Sequence, residues 1–163
     1  MNNNATVLDE KLRIDDLFKR VSKLSSNDVI IFAPYFGLNK DGTQMVPQKV
    51  AKQLLANSPA PIFTVNDTLF LPGMIGGYVI SAEELGKRLV DFAYVPNFFW
   101  DAKDFHYCGF DYNALQRWNI ESINLPSRSR VINKPEKGYF EKLLLKLFPE
   151  SSREKTPLDK VCN

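Results

Sequence analysis

Apolar residues recur at helical spacing near the start of the chain. Ile14, Leu17, Phe18, Val21 and Leu24 share one face, and Asp15, Asp16, Lys19, Arg20 and Lys23 share the other. This pattern predicts an amphipathic helix that stops at Ser25-Ser26-Asn27. Val29-Ile30-Ile31-Phe32-Ala33 follows as a continuous apolar run, the pattern of a short strand buried on both faces of a parallel sheet. Residues 35–44, rich in Gly, Asn and Asp, read as the loop at its carboxyl end. Pro47 is placed to open a second helix, with Val50, Ala51, Leu54 and Leu55 inward and Asn57-Ser58-Pro59 as its stop. Pro61-Ile62-Phe63-Thr64-Val65 predicts a second strand, 66–77 a loop, and Tyr78-Val79-Ile80 a third strand. Ser81 and Glu84 then stand at capping-box spacing, and Leu85, Leu89, Val90 and Phe92 form the core side of the helix they open.

From 94 to 109 the pattern weakens around the aromatic run Phe98-Phe99-Trp100. A strand is expected over 105–110. Asp111 follows as N-cap of a short helix carrying Ala114, Leu115 and Trp118. Val131-Ile132 reads as a last strand, and Tyr139, Phe140, Leu143, Leu144 and Leu147 mark a closing helix. The rhythm of helices and short apolar strands predicts an α/β fold with a mainly parallel sheet flanked by helices. A single domain over 8–149 is expected, with 150–163 as a basic tail or linker: from residue 128 onward there are nine Lys or Arg against five Asp or Glu.

Length and composition agree with one domain able to bury its own core: 163 residues, 44% hydrophobic. A net charge of +2 is too small to point to nucleic acid or an anionic membrane surface. No apolar stretch reaches the roughly 18 residues of a membrane span, and the polar start does not read as a signal peptide. One His and two Cys disfavour a His/Cys metal site and a Ser-His-Asp or Cys-His enzyme. Catalytic residues, metal ligands and cofactors are therefore expected to be none. Cys108 and Cys162 read as one half-buried thiol and one tail thiol, and pair only if the fold brings them together.

Candidate binding residues follow from position along the strands. Ligands collect at the carboxyl ends of strands in open α/β sheets, where Asn66 and Asp67 are hydrogen-bonding candidates and also ordinary turn formers. Tyr35 and Phe36, after the first strand, are able to wall a planar ligand or to join the core. Gly73-Met74-Ile75-Gly76-Gly77 matches neither a dinucleotide fingerprint nor a P-loop; it reads as a turn needing positive φ, or as a close backbone approach to a ligand. Phe98, Phe99 and Trp100 cannot all point inward from one strand and are interface candidates. His106 reads as structural, and the pairs Asp15-Asp16 and Glu83-Glu84 as complements of helix dipoles. Arg128 and Arg130 fit either an anion site or a solvated basic segment.

Several ordered stretches carry a family resemblance: Pro61-Ile62-Phe63; Gly73 to Ser81 followed by Glu84-Leu85-Gly86; Phe110-Asp111-Tyr112-Asn113-Ala114-Leu115-Gln116-Arg117-Trp118-Asn119-Ile120; and Leu125-Pro126 followed by Val131-Ile132-Asn133-Lys134-Pro135. Together they resemble the ABC-transporter substrate-binding-like sensor domains of bacterial sensor histidine kinases and diguanylate cyclases, over roughly residues 10 to 136. Such domains are similar to type I periplasmic binding proteins, in which two α/β lobes clamp a small molecule. The matched part is mostly the second lobe. The resemblance implies a non-catalytic sensing lobe for an unknown small-molecule ligand, on the extracytoplasmic side of a membrane-anchored parent protein. It also implies that the missing first lobe, or a second copy in a homodimer, supplies the other wall. A solute-binding component of an ABC transporter and a dimerisation module with a vestigial cleft are the alternatives. The second-lobe cleft residues would be Tyr35, Phe36, Asn66, Asp67 and the Gly73, Met74, Gly76, Gly77 loop.

Overall fold

The computed structural model describes residues 5–8, 12–95, 99 and 101–135. Its centre is a five-stranded sheet in the order β1 (Ile30–Phe32), β4 (Ile62–Thr64), β5 (Gly76–Ile80), β6 (His106–Asp111), β7 (Arg130–Ile132). β1, β4 and β5 run parallel, β6 is antiparallel to β5, and β7 is parallel to β6. A mostly parallel α/β sheet flanked by helices is thus present, as the strand rhythm predicts. The stretch 35–44 is not plain loop. It holds a small antiparallel hairpin, β2 (Gly37–Leu38) and β3 (Gln44–Met45), closed by the turn in which the Asn39 N–H donates to the Thr43 carbonyl.

Register assigns the side chains to two faces. Ile30, Phe32, Ile62 and Thr64 point to the first, against α1 (Ile14–Val21) and α2 (Pro47–Asn57). There Ile14, Leu17, Val21, Val50, Ala51, Leu54, Leu69 and Met74 build the larger core. The second face carries Phe63, Tyr78, Cys108, Phe110 and Val131. It is covered by α4 (Tyr112–Arg117) through Ala114 and Leu115, with Trp118, Ile120 and Leu125 packed around them. This second layer lies over the β4–β7 side. β1 is an edge strand beyond it, so the expectation that β1 is buried on both faces fails: Ile31 is 71% exposed.

Asp111 ties two elements to the sheet. Its buried carboxylate accepts the Ala114 N–H at 2.8 Å as the N-cap of α4, and it also accepts from the Asn133 side-chain amide just beyond β7. A buried carboxylate is tolerated because both oxygens are engaged. Its cap role follows from the sequence; its hold on the segment after β7 does not.

α3 (Ala82–Tyr94) departs most from expectation. None of its residues is buried, and Leu89, Val90 and Phe92, expected on the core side, are exposed. Its main neighbour is the 3-10 turn Ala102–Phe105. Cys108, expected as a thiol, is disulfide-bonded. Cys162, Phe98, Trp100, the expected closing helix and the tail lie outside the described residues.

Candidate functional site

Because β1, β4 and β5 are parallel, their carboxyl ends open onto one rim of the sheet, where β6 and β7 begin. Asn66 and Asp67 follow β4 on this rim, as the sequence predicts, and local capping already engages both. Asn66 Oδ1 accepts the Thr68 N–H at 2.9 Å and its hydroxyl at 2.7 Å, opening the 3-10 turn Asp67–Leu69. The Asp67 carboxylate accepts the Ala82 N–H at 3.0 and 3.2 Å, which fixes the start of α3. The capping box read at Ser81 and Glu84 is half made. Ser81 Oγ accepts the Glu84 N–H at 3.3 Å, but the Ser81 N–H donates to the Phe105 carbonyl at 2.7 Å. Glu84 instead joins Glu83 in ion pairs with Lys87.

Two residues complete the rim that strand-end reasoning did not join to it. The Arg130 guanidinium lies over the Tyr107 ring, 4.5 Å from its centroid. Burial pushes the Tyr107 phenol above its ordinary pKa, the Asp67 carboxylate pushes it further, and Arg130 pulls it partly back. Arg130 also helps to hold Glu83, at the start of α3, below the usual carboxylate range, after the larger effect of Lys87. The rim therefore sets an acid and a cation within electrostatic reach of one phenol, Tyr107. Arg130 is visible in the sequence, with Arg128, as a candidate for an anion site or a solvated basic segment, and Tyr107 has no local signal. Their meeting depends on the pairing of β6 with β5 and β7, which spacing does not specify.

The remaining expected site residues separate. The Tyr35 hydroxyl donates to the Leu12 carbonyl, its ring packs on the larger core, and burial raises its pKa. Phe36 is exposed on the rim side of β1. The glycine run lies at the other end of the sheet: Gly73, Met74 and Ile75 precede β5, with the Ile75 N–H donating to the Ile62 carbonyl. Met74 is fully buried in the larger core, so it packs and faces no ligand surface. Gly76 and Gly77 belong to β5 itself, not to the preceding loop. Gly76 has φ +119°, and a Cβ there would lie 1.9 Å from the Gly109 carbonyl oxygen. At Gly77 (φ +150°) it would lie 2.5 Å from that of Thr64. Close approach of neighbouring strands accounts for both glycines.

His106 is stacked on Tyr78 with centroids 4.9 Å apart and lies beside Phe105, a packing role consistent with the sequence reading. Phe99 is 91% exposed. A broad open depression of about 740 Å³ lies elsewhere, over α1 and Lys40, where Lys40 pairs with Asp15 and Lys19 with Asp16. None of the expected site residues lines it. Among the described residues there is no group of three His, Cys, Asp or Glu able to hold a metal ion, and no helix long and apolar enough to cross a membrane. Comparison with protein-family models, curated proteins and solved structures found no match.

Proposed function

We propose that the chain is a non-catalytic small-molecule-sensing lobe of the solute-binding type, with its ligand held at the carboxyl rim of the sheet. Within this reading it is one lobe of a type I periplasmic-binding-protein fold, working on the extracytoplasmic side of a membrane-anchored signalling protein. The observation that carries it is the rim itself: three parallel strands end together where Asp67, Tyr107 and Arg130 gather. Arg130 supplies a cation, and Tyr107 a phenol and an aromatic ring. Ligand binding between this rim and a second wall would shift the population of closed arrangements and so transmit a signal.

Titration of the chain against amino acids, short peptides, sugars and carboxylates tests the reading by calorimetry and thermal shift. A rim ligand at one hundred times its dissociation constant adds about 2.7 kcal/mol to stability, a shift of several degrees. Arg130→Gln should abolish that shift. A ligand whose effect is unchanged in Arg130→Gln, or a panel without any binder, removes the rim reading.

A specific observation favours one alternative, a dimerisation module. α3 presents Leu89, Val90 and Phe92 outward with no residue buried, and Phe99 is exposed nearby in sequence. Concentration-dependent association that is lost on Leu89→Asp would select this reading.

A further inference from the structure

We propose that the β1 edge of the sheet is a contact between two copies of this chain, in which β1 pairs antiparallel with β1 of the second copy about a two-fold axis at Ile31. β1 is an outer strand with β4 on one side only. The Ile30 N–H donates to the Pro61 carbonyl at 2.9 Å, so the alternation of a parallel ladder turns the Ile31 N–H and C=O away from β4, to the open edge. Among the described residues, none bonds to either group. An edge left in this state is a template for another strand.

The side chains repeat the alternation. Ile30 and Phe32 face the larger core, whereas Val29, Ile31 and Ala33 are exposed. The α4 layer lies over the β4–β7 side and leaves this apolar row uncovered. None of the usual edge guards stands between 29 and 33: no charge, no proline, and a register with β4 that runs without a bulge. Pro34 follows at the parity of Phe32, so its missing N–H is not one of the edge donors. The opposite edge differs, because β7 carries the exposed Arg130.

Charge and symmetry select a second copy as the occupant. Asp28 is the sole charged residue from 24 to 39. In-register parallel pairing would set the two Asp28 side by side, whereas antiparallel pairing about Ile31 sets each opposite Pro34. That register lets the two Ile31 residues exchange both hydrogen bonds and places Val29 opposite Ala33 on either side of them. The apolar row thereby meets an identical row, as a two-fold contact requires. Two five-stranded sheets become one continuous sheet, with their carboxyl rims pointing in opposite directions. The pairing thus stands apart from the rim and does not rest on the ligand reading. So short a strand pair lies at the low end of interface sizes, which makes the dimer weak and reversible.

Sedimentation of the full chain at rising concentration, up to about 1 mM, tests the contact together with hydrogen exchange. The expected result is a reversible dimer whose dissociation constant rises at least about tenfold in Ile31→Lys, which sets two like charges opposite one another. Ile31→Lys should keep the Tm of the unaltered chain within a few degrees, since the side chain is exposed. The Ile31 amide should exchange more slowly as the dimer fills, while the Ile30 amide, already bonded to Pro61, should not change. Leu89→Asp and Arg130→Gln should leave the dimer intact, which separates this contact from α3 and from the rim. A chain that stays monomeric, a dimer untouched by Ile31→Lys, or an Ile31 amide that exchanges alike in monomer and dimer would overturn the proposal. If Ile31→Lys does not fold, the exchange pattern of the unaltered chain still decides.

Discussion

Helix α2 buries Pro47, Val50, Ala51 and Leu54 beside Phe32 and Ile62, whereas α3, with Leu85, Leu89 and Phe92 on one stripe, buries none of its residues. Both helices lie between two strands of the central sheet, α2 between β1 and β4 and α3 between β5 and β6, and both look amphipathic in the sequence. The difference lies in what comes next. α2 leads to β4, parallel to and beside β1, so the chain must cross over the sheet and the helix is carried onto its face. α3 leads to β6, antiparallel to and beside β5, so the chain only has to turn round at the rim. An amphipathic stripe states that a helix wants a partner. Strand direction decides whether the sheet is that partner.

The glycines offer the sharpest way to break this contrast. Gly76→Ala should be the most damaging change, costing more than about 4 kcal/mol, because the new Cβ meets the Gly109 carbonyl oxygen and the backbone is left-handed. In α3, a Cβ at Gly86 meets nothing within 4 Å, so Gly86→Ala should stabilise by about 0.5–1 kcal/mol through helix propensity. Urea unfolding of both variants measures the pair. If Gly76→Ala unfolds like the unaltered chain, the β5–β6 pairing is wrong.

Matched leucines come next in size. Leu54→Ala should cost about 3 kcal/mol, or roughly 6–12 °C in Tm, because a fully buried side chain leaves a cavity. Leu89→Ala should change stability by less than about 0.5 kcal/mol, as expected for an exposed side chain. Equal losses at the two positions would mean that α3 is covered in solution, by a second copy or by the carboxyl-terminal segment.

The same contrast marks what could be read in the sequence. Strand and helix positions were legible wherever the signal is local: Pro47 at a helix start, Ser81 and Asp111 as caps, Val131-Ile132 as a short strand. What depends on strand direction was not. The outward stripe of α3, the exposed Ile31 of an edge strand and the meeting of Tyr107 with Arg130 all follow from how β5, β6 and β7 pair. Of the expected site, Asn66, Asp67 and Phe36 came to the rim because they directly follow parallel strands. The glycine run was misplaced because Gly76 and Gly77 look like turn residues, yet serve as strand residues where carbonyls approach.

Asp67→Asn probes the junction between the two regions and carries the smallest expected effect. It removes a carboxylate from beside the amino end of α3 while keeping an oxygen able to accept the Ala82 N–H, so the loss should be about 0.5–1 kcal/mol. Its diagnostic readout is the Tyr107 phenol. Folding raises that pKa, so the native state holds its proton longer than the unfolded chain, whose phenols titrate near 10. Stability from this group is complete below pH 10 and falls as pH rises through the native value, because the unfolded chain releases its proton first. Removing the Asp67 charge takes away the second cause of the raised pKa, so Tyr107 should ionise at lower pH and the alkaline loss should shrink. Ultraviolet titration of the phenols, compared with Tyr107→Phe, reads the shift directly. An unchanged titration would separate Asp67 from Tyr107 and leave the rim as unconnected strand ends, whereas the expected shift ties the cap of α3 to the cation and phenol of the rim.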